Sequence, residues 1–215
     1  MRQHLNNLPL REKYLFFRKK GYSTREIFFK GIRWSLINRI NTIITPSSKI
    51  GKGVMIDVSA VLDGAKFMEF GDYSNIQRGA WLSVPLIDIE NIPKKSCLIF
   101  GRNVRVGPNN VISASNSINI ADNVLLGPNV TVLDHRHKFS TKDMPVGEQK
   151  INTDGSVIIG EGSWIGTNSV IYGGKKGGIK IGKNCVIAAN TFVDFNVPDY
   201  SLVANKKAIV TRPIK

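Results

Sequence analysis

The stretch "IADNVLLGPNVTV", residues 120 to 132, carries an aliphatic side chain at every sixth position, at Ile120, Leu126 and Val132. Three such six-residue units, or hexads, make one 18-residue turn of a three-sided coil whose flat sides are short parallel strands. The residue that opens each hexad then points inward and stacks on its equivalents in neighbouring coils. This stretch therefore predicts a β-solenoid.

The same spacing extends in both directions, from residue 50 to residue 193. The hexad-opening residues form six triplets: Ile50, Ile56 and Leu62; Phe70, Ile76 and Leu82; Phe100, Val106 and Ile112; Ile120, Leu126 and Val132; Ile159, Ile165 and Ile171; and Ile181, Ile187 and Val193. Insertions of 2, 12, 2, 21 and 4 residues separate the triplets, and each insertion follows a third hexad. The sequence predicts an all-β solenoid of six coils in which one corner extrudes loops and two corners stay closed.

Short side chains recur four places after a hexad-opening residue, where each corner of the coil must be tight. They are Val54, Ala60, Ser74, Ala80, Val104, Val124, Val130, Ser163, Ser169, Cys185 and Thr191. The dipeptide Ile-Gly begins at residues 50, 159, 165 and 181. We expect its glycine to supply a turn geometry that a Cβ atom would hinder.

Residues 1–45 differ from the coils because they hold ten Lys and Arg residues against two Glu, whereas the whole chain has a net charge of +14. Ser23 and Glu26 have the spacing of a capping box at the start of a helix. Apolar residues follow at helical spacing, namely Phe29, Ile32, Leu36, Ile40 and Ile43. This helical segment either packs on the main domain or another subunit, or rests its basic amphipathic surface on anionic lipid.

We divide the chain into this basic segment (1–45), a solenoid domain (46–200) with a long loop (134–157), and a C-terminal closing segment (201–215). Two cysteines give no disulfide framework, and no apolar run approaches the roughly 20 residues that span a bilayer. The N-terminus lacks the apolar block of a signal peptide. We therefore expect a cytoplasmic protein, with peripheral contact at the inner face of the membrane as an option. Nucleic acid is not expected as a partner, since the basic residues are not interleaved with aromatic residues on the coils.

The stretches "IADNVLLGPNVTVLDHRH" and "VIIGEGSWIGTNSVI" resemble the hexapeptide-repeat acyltransferases, and the resemblance covers about three-quarters of the chain, residues 50 to 210. It implies a left-handed parallel β-helix, a homotrimer, and acetyl-CoA as the acyl donor without a metal. Bacterial O-acetyltransferases of surface-polysaccharide sugars are the most similar members, because they commonly carry an Asp-His-x-His string at this point. The implied acceptor is a carbohydrate or a lipid-linked oligosaccharide in O-antigen, capsule or exopolysaccharide biosynthesis.

Two of the three histidines, His135 and His137, lie at the start of the 21-residue insertion. A sugar hydroxyl needs a general base to attack a thioester, and histidine has an unperturbed pKa of about 6.5. Asp134 or a main-chain carbonyl could fix the tautomer of this base. The resemblance places the catalytic histidine at His135, with His137 as the second candidate.

The resemblance also suggests binding residues, although the closing segment departs from the usual family pattern at several positions. Trp164 could line the cleft against donor or acceptor, or it could lie at a subunit interface. Asn109 and Asn110 could hydrogen-bond a sugar, or they could be ordinary corner residues. The donor-binding candidates are Trp164, Thr167, Ala188, Lys206, Lys207 and Arg212.

Two other enzyme classes are compatible with the same histidine-containing string. One is an acetyltransferase for a small antibiotic, since such relatives carry a similar string at this corner. The other is a zinc carbonic anhydrase built on the same prism. A zinc site needs three protein ligands and an open position. His135 and His137 could supply two of them, but His4 lies outside the coils.

Overall fold

The computed structural model describes residues 49–85 and 97–205, whose strands form a three-sided prism with parallel pairing along each side. Side A consists of β1 (Lys49–Ile50), β4 (Met68–Phe70), β7 (Leu98–Phe100), β10 (Ile118–Ile120), β15 (Val157–Ile159) and β18 (Ile179–Ile181). Side B consists of β2 (Met55–Ile56), β5 (Asn75–Ile76), β8 (Arg105–Val106), β11 (Leu125–Leu126), β16 (Trp164–Ile165), β19 (Val186–Ile187) and β21 (Leu202–Val203). Side C consists of β3 (Val61–Asp63), β6 (Trp81–Ser83), β9 (Val111–Ser113), β12 (Thr131–Leu133), β17 (Val170–Tyr172) and β20 (Phe192–Val193).

The strand register confirms the predicted repeat. On side C, for example, Val132 pairs with Ile112 below and with Ile171 above, and the corresponding pairs hold on sides A and B. The protein is a left-handed parallel β-helix of six coils, which we number one to six from the triplet of Ile50 to the triplet of Val193. We name its corners AB, BC and CA after the sides they join. All the insertions leave at corner CA, as predicted.

Two features of the coils did not follow from the hexad pattern. A partial seventh coil contains β21 and Val197, which bridges to Ile181. Val197 lies four residues after Val193 instead of six, so the six-residue spacing breaks there. Side A also buries a second residue in each of coils two to six, because both ends of its three-residue strands point inward. These residues are Met68, Leu98, Ile118, Val157 and Ile179.

The prediction that the glycines of the Ile-Gly dipeptides supply a special turn geometry is wrong. These glycines are required for a different reason, the close approach of the next coil. Gly160 and Gly182 lack a positive φ, but a Cβ atom on Gly160 would lie 2.4 Å from the carbonyl oxygen of Gly182 in the next coil. Close stacking of backbones therefore excludes a side chain there. Of the nine described non-glycine residues with a positive φ, seven are asparagines, since asparagine tolerates this conformation better than most residues. They include Asn103, Asn123 and Asn184 at corner AB and Asn109, Asn129, Asn168 and Asn190 at corner BC.

Within residues 49–85 and 97–205, the remaining elements are a β-hairpin and two 3-10 turns. Within the 21-residue insertion, β13 (Arg136–His137) pairs antiparallel with β14 (Ile151–Asn152). The 3-10 turns are Ala65–Phe67 and Val146–Glu148. The helix expected within residues 1–45 lies outside the described residues, and the three-part division of the chain stays a prediction. No helix within residues 49–85 and 97–205 has the length and hydropathy needed to cross a membrane.

Candidate active site

Asp134 is the buried centre of a hydrogen-bond network at corner CA, directly after β12. Its side chain has no exposed surface. One carboxylate oxygen, Oδ1, accepts the backbone N–H of Ser115 at 2.8 Å and lies 2.9 Å from Nδ1 of His135. The other oxygen, Oδ2, accepts the N–H groups of Asn116 at 2.9 Å and of Ser117 at 2.7 Å. The turn of coil three thus fixes this carboxylate with three consecutive main-chain donors.

This network determines the tautomer of His135. A carboxylate can only accept a hydrogen bond, so Nδ1 of the imidazole carries the hydrogen and donates it to Asp134. In the neutral ring Nε2 then has a free lone pair and can accept a proton. The His135 side chain is 13% exposed and stands at the corner, outside the apolar core of the prism. The arrangement of carboxylate, oriented imidazole and free Nε2 is that of a general base with its orienting partner.

His137 occupies a different environment from His135. It lies on β13, opposite Ile151 of the hairpin, and is exposed to solvent. Its ring forms no hydrogen bond with Asp134. Of the two candidates for the base, the geometry favours His135, whereas His137 could meet a bound acceptor.

The hairpin is held at both of its ends, although the sequence suggested only a long loop there. At its base the side-chain Nδ2 of Asn116 donates to the carbonyl oxygen of Gly155 at 2.6 Å. At its tip the buried Gln149 side chain donates to the carbonyl oxygens of Thr141 at 3.0 Å and Met144 at 2.9 Å. Strands of two residues are too short for a recognisable alternation, so no sequence pattern could have revealed them.

The predicted donor-binding residues that are described lie away from corner CA. Trp164 points outward from side B and is 50% exposed, while Thr167 and Ala188 are partly exposed near corner BC. Lys206, Lys207 and Arg212 are outside the described residues.

The two asparagines proposed to bind the acceptor also lie at corner BC. Asn109 is exposed there, with a φ of 56°. Asn110 is fully buried, and its Oδ1 accepts the backbone N–H of Val130. The structure therefore contradicts a sugar-binding role for Asn110, because its amide serves the corner between coils three and four.

Corner CA, which holds His135, and corner BC, which holds the predicted donor-binding residues Thr167 and Ala188, lie at opposite edges of side C. From Val130 at corner BC to Asp134 at corner CA there are four residue steps across β12, which correspond to roughly 13 Å. One chain therefore does not bring His135 and Thr167 to the same edge. No three His, Cys, Asp or Glu side chains within residues 49–85 and 97–205 are grouped so as to hold a metal ion.

Comparison with known proteins identifies relatives for most of the prism. The family model described as the hexapeptide repeat of succinyl-transferase matches residues 156–194. A probable acetyltransferase of Mycobacterium tuberculosis is 28% identical over 76% of this chain and 49% of its own length. Galactoside O-acetyltransferase of Escherichia coli is 29% identical over 66% of this chain and 64% of its own length.

A third relative is WbbJ of Escherichia coli, whose name provisionally assigns it to lipopolysaccharide biosynthesis as an O-acetyl transferase. It is 25% identical over 55% of this chain and 61% of its own length. The chain thus spans 49 to 64% of the length of these relatives.

Solved structures share the fold. The crystal structure of AntD, an N-acyltransferase from Bacillus cereus in complex with dTDP and 3-hydroxybutyryl-CoA, superposes with a TM-score of 0.61 at 18% identity. The match covers 77% of this chain and 81% of AntD. At 18% identity this similarity concerns the shared β-helix fold alone.

Proposed function

We propose that this chain is a hexapeptide-repeat acyltransferase and that it transfers an acetyl group from acetyl-CoA to a hydroxyl group of a sugar. The observation that carries the proposal is the His135 imidazole, oriented by the buried Asp134 carboxylate at the corner where the long insertion leaves the prism. Relatives named as galactoside and lipopolysaccharide O-acetyltransferases support a sugar acceptor. We place the acceptor in surface-polysaccharide biosynthesis, as a nucleotide sugar or a lipid-linked oligosaccharide.

The reaction follows from the free lone pair on Nε2 of His135. Nε2 removes the proton of the sugar hydroxyl as the hydroxyl oxygen attacks the thioester carbonyl carbon. The tetrahedral intermediate collapses with cleavage of the carbon–sulfur bond, and the imidazolium returns the proton to the departing thiolate. The products are the O-acetyl sugar and free coenzyme A. A positioned general base typically contributes about 10²–10⁴-fold to such a rate.

Asp134 assists both proton transfers without reacting itself. Its carboxylate holds Nδ1–H of His135, which keeps Nε2 aimed outward and stabilises the positive charge on the ring during the reaction. The main-chain donors of Ser115, Asn116 and Ser117 keep the carboxylate from rotating. The base is therefore positioned before either substrate binds.

The proposal is tested by thiol release from acetyl-CoA in the presence of simple galactosides, nucleotide sugars, lipid-linked oligosaccharides and aminoglycosides. We expect at least one sugar to raise thiol release well above the rate without acceptor, and mass spectrometry to show an O-acetyl ester on it. Metal analysis of the same preparation provides the control for the carbonic anhydrase alternative. Stoichiometric zinc, or release that depends only on aminoglycosides, would contradict the proposal.

We further propose a homotrimer whose active sites lie between copies, which would bring corner CA of one chain against corner BC of its neighbour. The roughly 13 Å between these corners within one chain supports this arrangement. A closed cyclic assembly repeats one such heterologous contact between each pair of neighbouring chains.

Complementation tests the shared site. His135→Ala removes the proposed base at corner CA, and Thr167→Trp obstructs the proposed donor-binding residues at corner BC. Each variant should therefore be inactive by itself. When the two are unfolded and refolded together, random mixing should place an intact His135 beside an intact corner BC in about a quarter of the sites. Thiol release should therefore recover to about a quarter of the wild-type rate. A mixture that stays as inactive as the separately refolded variants would show that each chain carries a whole site.

The expected contact of residues 1–45 with a membrane stays a prediction. A lipid-linked acceptor and acetyl-CoA would meet at the cytoplasmic face of the membrane, which fits the basic composition of that segment.

A further inference from the structure

The hairpin that follows His135 collects positively charged side chains on one of its two faces. Arg136 of β13 pairs with Asn152 of β14. One step further out, the N–H of Lys138 donates to the carbonyl oxygen of Lys150 at 2.9 Å. Cross-strand partners share a face of a sheet, as do residues two apart on one strand. These four side chains therefore lie together, and we call their surface the cationic face.

The cationic face offers hydrogen-bond donors that are free to meet a ligand. Arginine and lysine side chains contain no acceptor atom. The Oδ1 atom of Asn152 already accepts the backbone N–H of Asp154 at 3.2 Å, which leaves its NH₂ group as a donor. The three cations are exposed, and none of them forms an ion pair with an acid of residues 49–85 and 97–205. An anion can therefore bind here without first breaking an ion pair.

Lys138 and Lys150 form an unfavourable pair in the free protein. They lie opposite each other across the hairpin, where like charges destabilise a sheet. Arg136 adds a third positive charge one step closer to corner CA. Exceptions to such local rules are expected at functional sites. A ligand with two or more negative charges would replace this repulsion with attraction.

The Arg136 guanidinium is oriented before any ligand binds. Its Cζ atom lies 5.5 Å from the centroid of the Phe139 ring. Stacking on an aromatic ring uses the flat face of a guanidinium group and leaves the N–H groups at its edge for bidentate bonds to a phosphate. Asn116 and Gln149 hold the hairpin at its base and at its tip, so the backbone that carries the cations is fixed as well.

We propose that the cationic face binds the diphosphate group of the acceptor, a sugar diphosphate ester. The inference rests on the proposed function, in which a sugar hydroxyl lies at Nε2 of His135. Arg136 directly follows His135, and Lys138 is two residues further along the hairpin, or roughly 7 Å. A diphosphate on C1 of a sugar lies next to the sugar ring, so a sugar at His135 brings it to these cations. Nucleotide sugars and lipid-linked oligosaccharides share this group.

The phosphates of acetyl-CoA belong elsewhere in the proposed trimer. There the donor-binding residues of the neighbouring copy, in coils five and six, face corner CA. The pantetheine arm then runs from the thioester at His135 toward the C-terminal coils, and its phosphates are at the far end of that arm. The hairpin leaves the prism directly after coil four, beside the reacting carbonyl. The cationic face therefore suits the phosphates of the acceptor better than those of the donor.

Isothermal titration of inorganic pyrophosphate into the full-length protein tests the subsite. Coenzyme A is present at saturation, so that the donor site is already filled. We expect pyrophosphate to bind the wild type, and the double variant Lys138→Gln, Lys150→Gln to bind it about tenfold more weakly. Without ligand, this variant should unfold at a temperature no lower than the wild type, because a like-charge pair has been removed.

A charge-matched control removes two lysines from another corner. Lys52 and Lys183 are exposed at corner AB, and the double variant Lys52→Gln, Lys183→Gln should bind pyrophosphate as the wild type does. The proposal is overturned if pyrophosphate does not bind the wild type or if both double variants weaken its binding equally. It is also overturned if replacing Lys138 and Lys150 raises the KM of acetyl-CoA instead.

Three acceptors distinguish the sources of the diphosphate. UDP-galactose carries it on a nucleotide, a polyprenyl diphosphate galactose in detergent carries it on a lipid, and methyl galactoside lacks it. For the natural type of acceptor, Lys138→Gln, Lys150→Gln should lower kcat/KM about tenfold more than it does for methyl galactoside. Equal effects on all three acceptors would contradict the subsite.

The outcome can be separated from the test of the reaction. If thiol release responds to sugars but Lys138→Gln, Lys150→Gln binds pyrophosphate normally, the subsite is wrong and the proposed function stands. If pyrophosphate binding depends on the two lysines but no sugar accepts an acetyl group, the subsite stands and the proposed reaction is wrong.

Discussion

Replacing His135 with alanine is expected to lower the rate of acetyl transfer by about 10²–10⁴-fold, the usual contribution of a positioned general base. Without Nε2 the acceptor hydroxyl would lose the base that the Asp134 carboxylate orients at corner CA. The fold should persist, because the imidazole stands outside the apolar core and the hexad-opening residues remain in place. The measurement is the turnover number at saturating acetyl-CoA, together with the midpoint of thermal unfolding.

His137→Ala is the matched control for this experiment. The two histidines are two residues apart in the same insertion, but His137 is exposed on β13 and does not contact Asp134. We expect His137→Ala to retain a turnover number within about tenfold of the wild type. Its effect should fall mainly on the KM of the acceptor, if the hairpin contacts that substrate. A larger loss of turnover in His137→Ala than in His135→Ala would move the base to His137.

Replacing Asp134 with alanine is expected to destabilise the protein and to remove most of its activity. The three main-chain N–H groups of residues 115–117 and Nδ1–H of His135 would lose their acceptor at a buried site. An unsatisfied buried donor costs about 1–3 kcal/mol, and water entering the space left by the side chain would recover part of this. We expect the free energy of unfolding to fall by roughly 2–4 kcal/mol, measured by urea denaturation.

Two further variants separate the roles of this carboxylate. Asp154→Ala removes an exposed acid from the same insertion and should change the free energy of unfolding by no more than about 0.5 kcal/mol. Asp134→Asn keeps the size of the side chain but points an amide NH₂ group at donors, so His135 loses its fixed tautomer. We expect its turnover number to fall by about 10²-fold or more. If Asp134→Ala were as stable as Asp154→Ala, the network at corner CA would not support the fold.

The six-residue spacing was enough to predict the coils, their register and the corner at which insertions leave. Each hexad repeats the same local requirement, an inward apolar residue followed by a tight corner, so the pattern occurs eighteen times along the chain, in six triplets. The pairing of Val132 with Ile112 and Ile171 follows from that repetition. Where the spacing changes, as between Val193 and Val197, the prediction ended one partial coil too early.

The sequence by itself determined the prism and marked "LDHRH" as the candidate string for the chemistry, because both depend on residues close together in the chain. The tertiary structure decided the arrangement of side chains at the corners, because that arrangement depends on contacts between coils. Stacking brings the N–H groups of residues 115–117 to the carboxylate of Asp134, and it buries Asn110 while leaving Asn109 exposed. It also separates His135 from Thr167 across the width of side C, because a three-sided coil sends successive hexads to different corners.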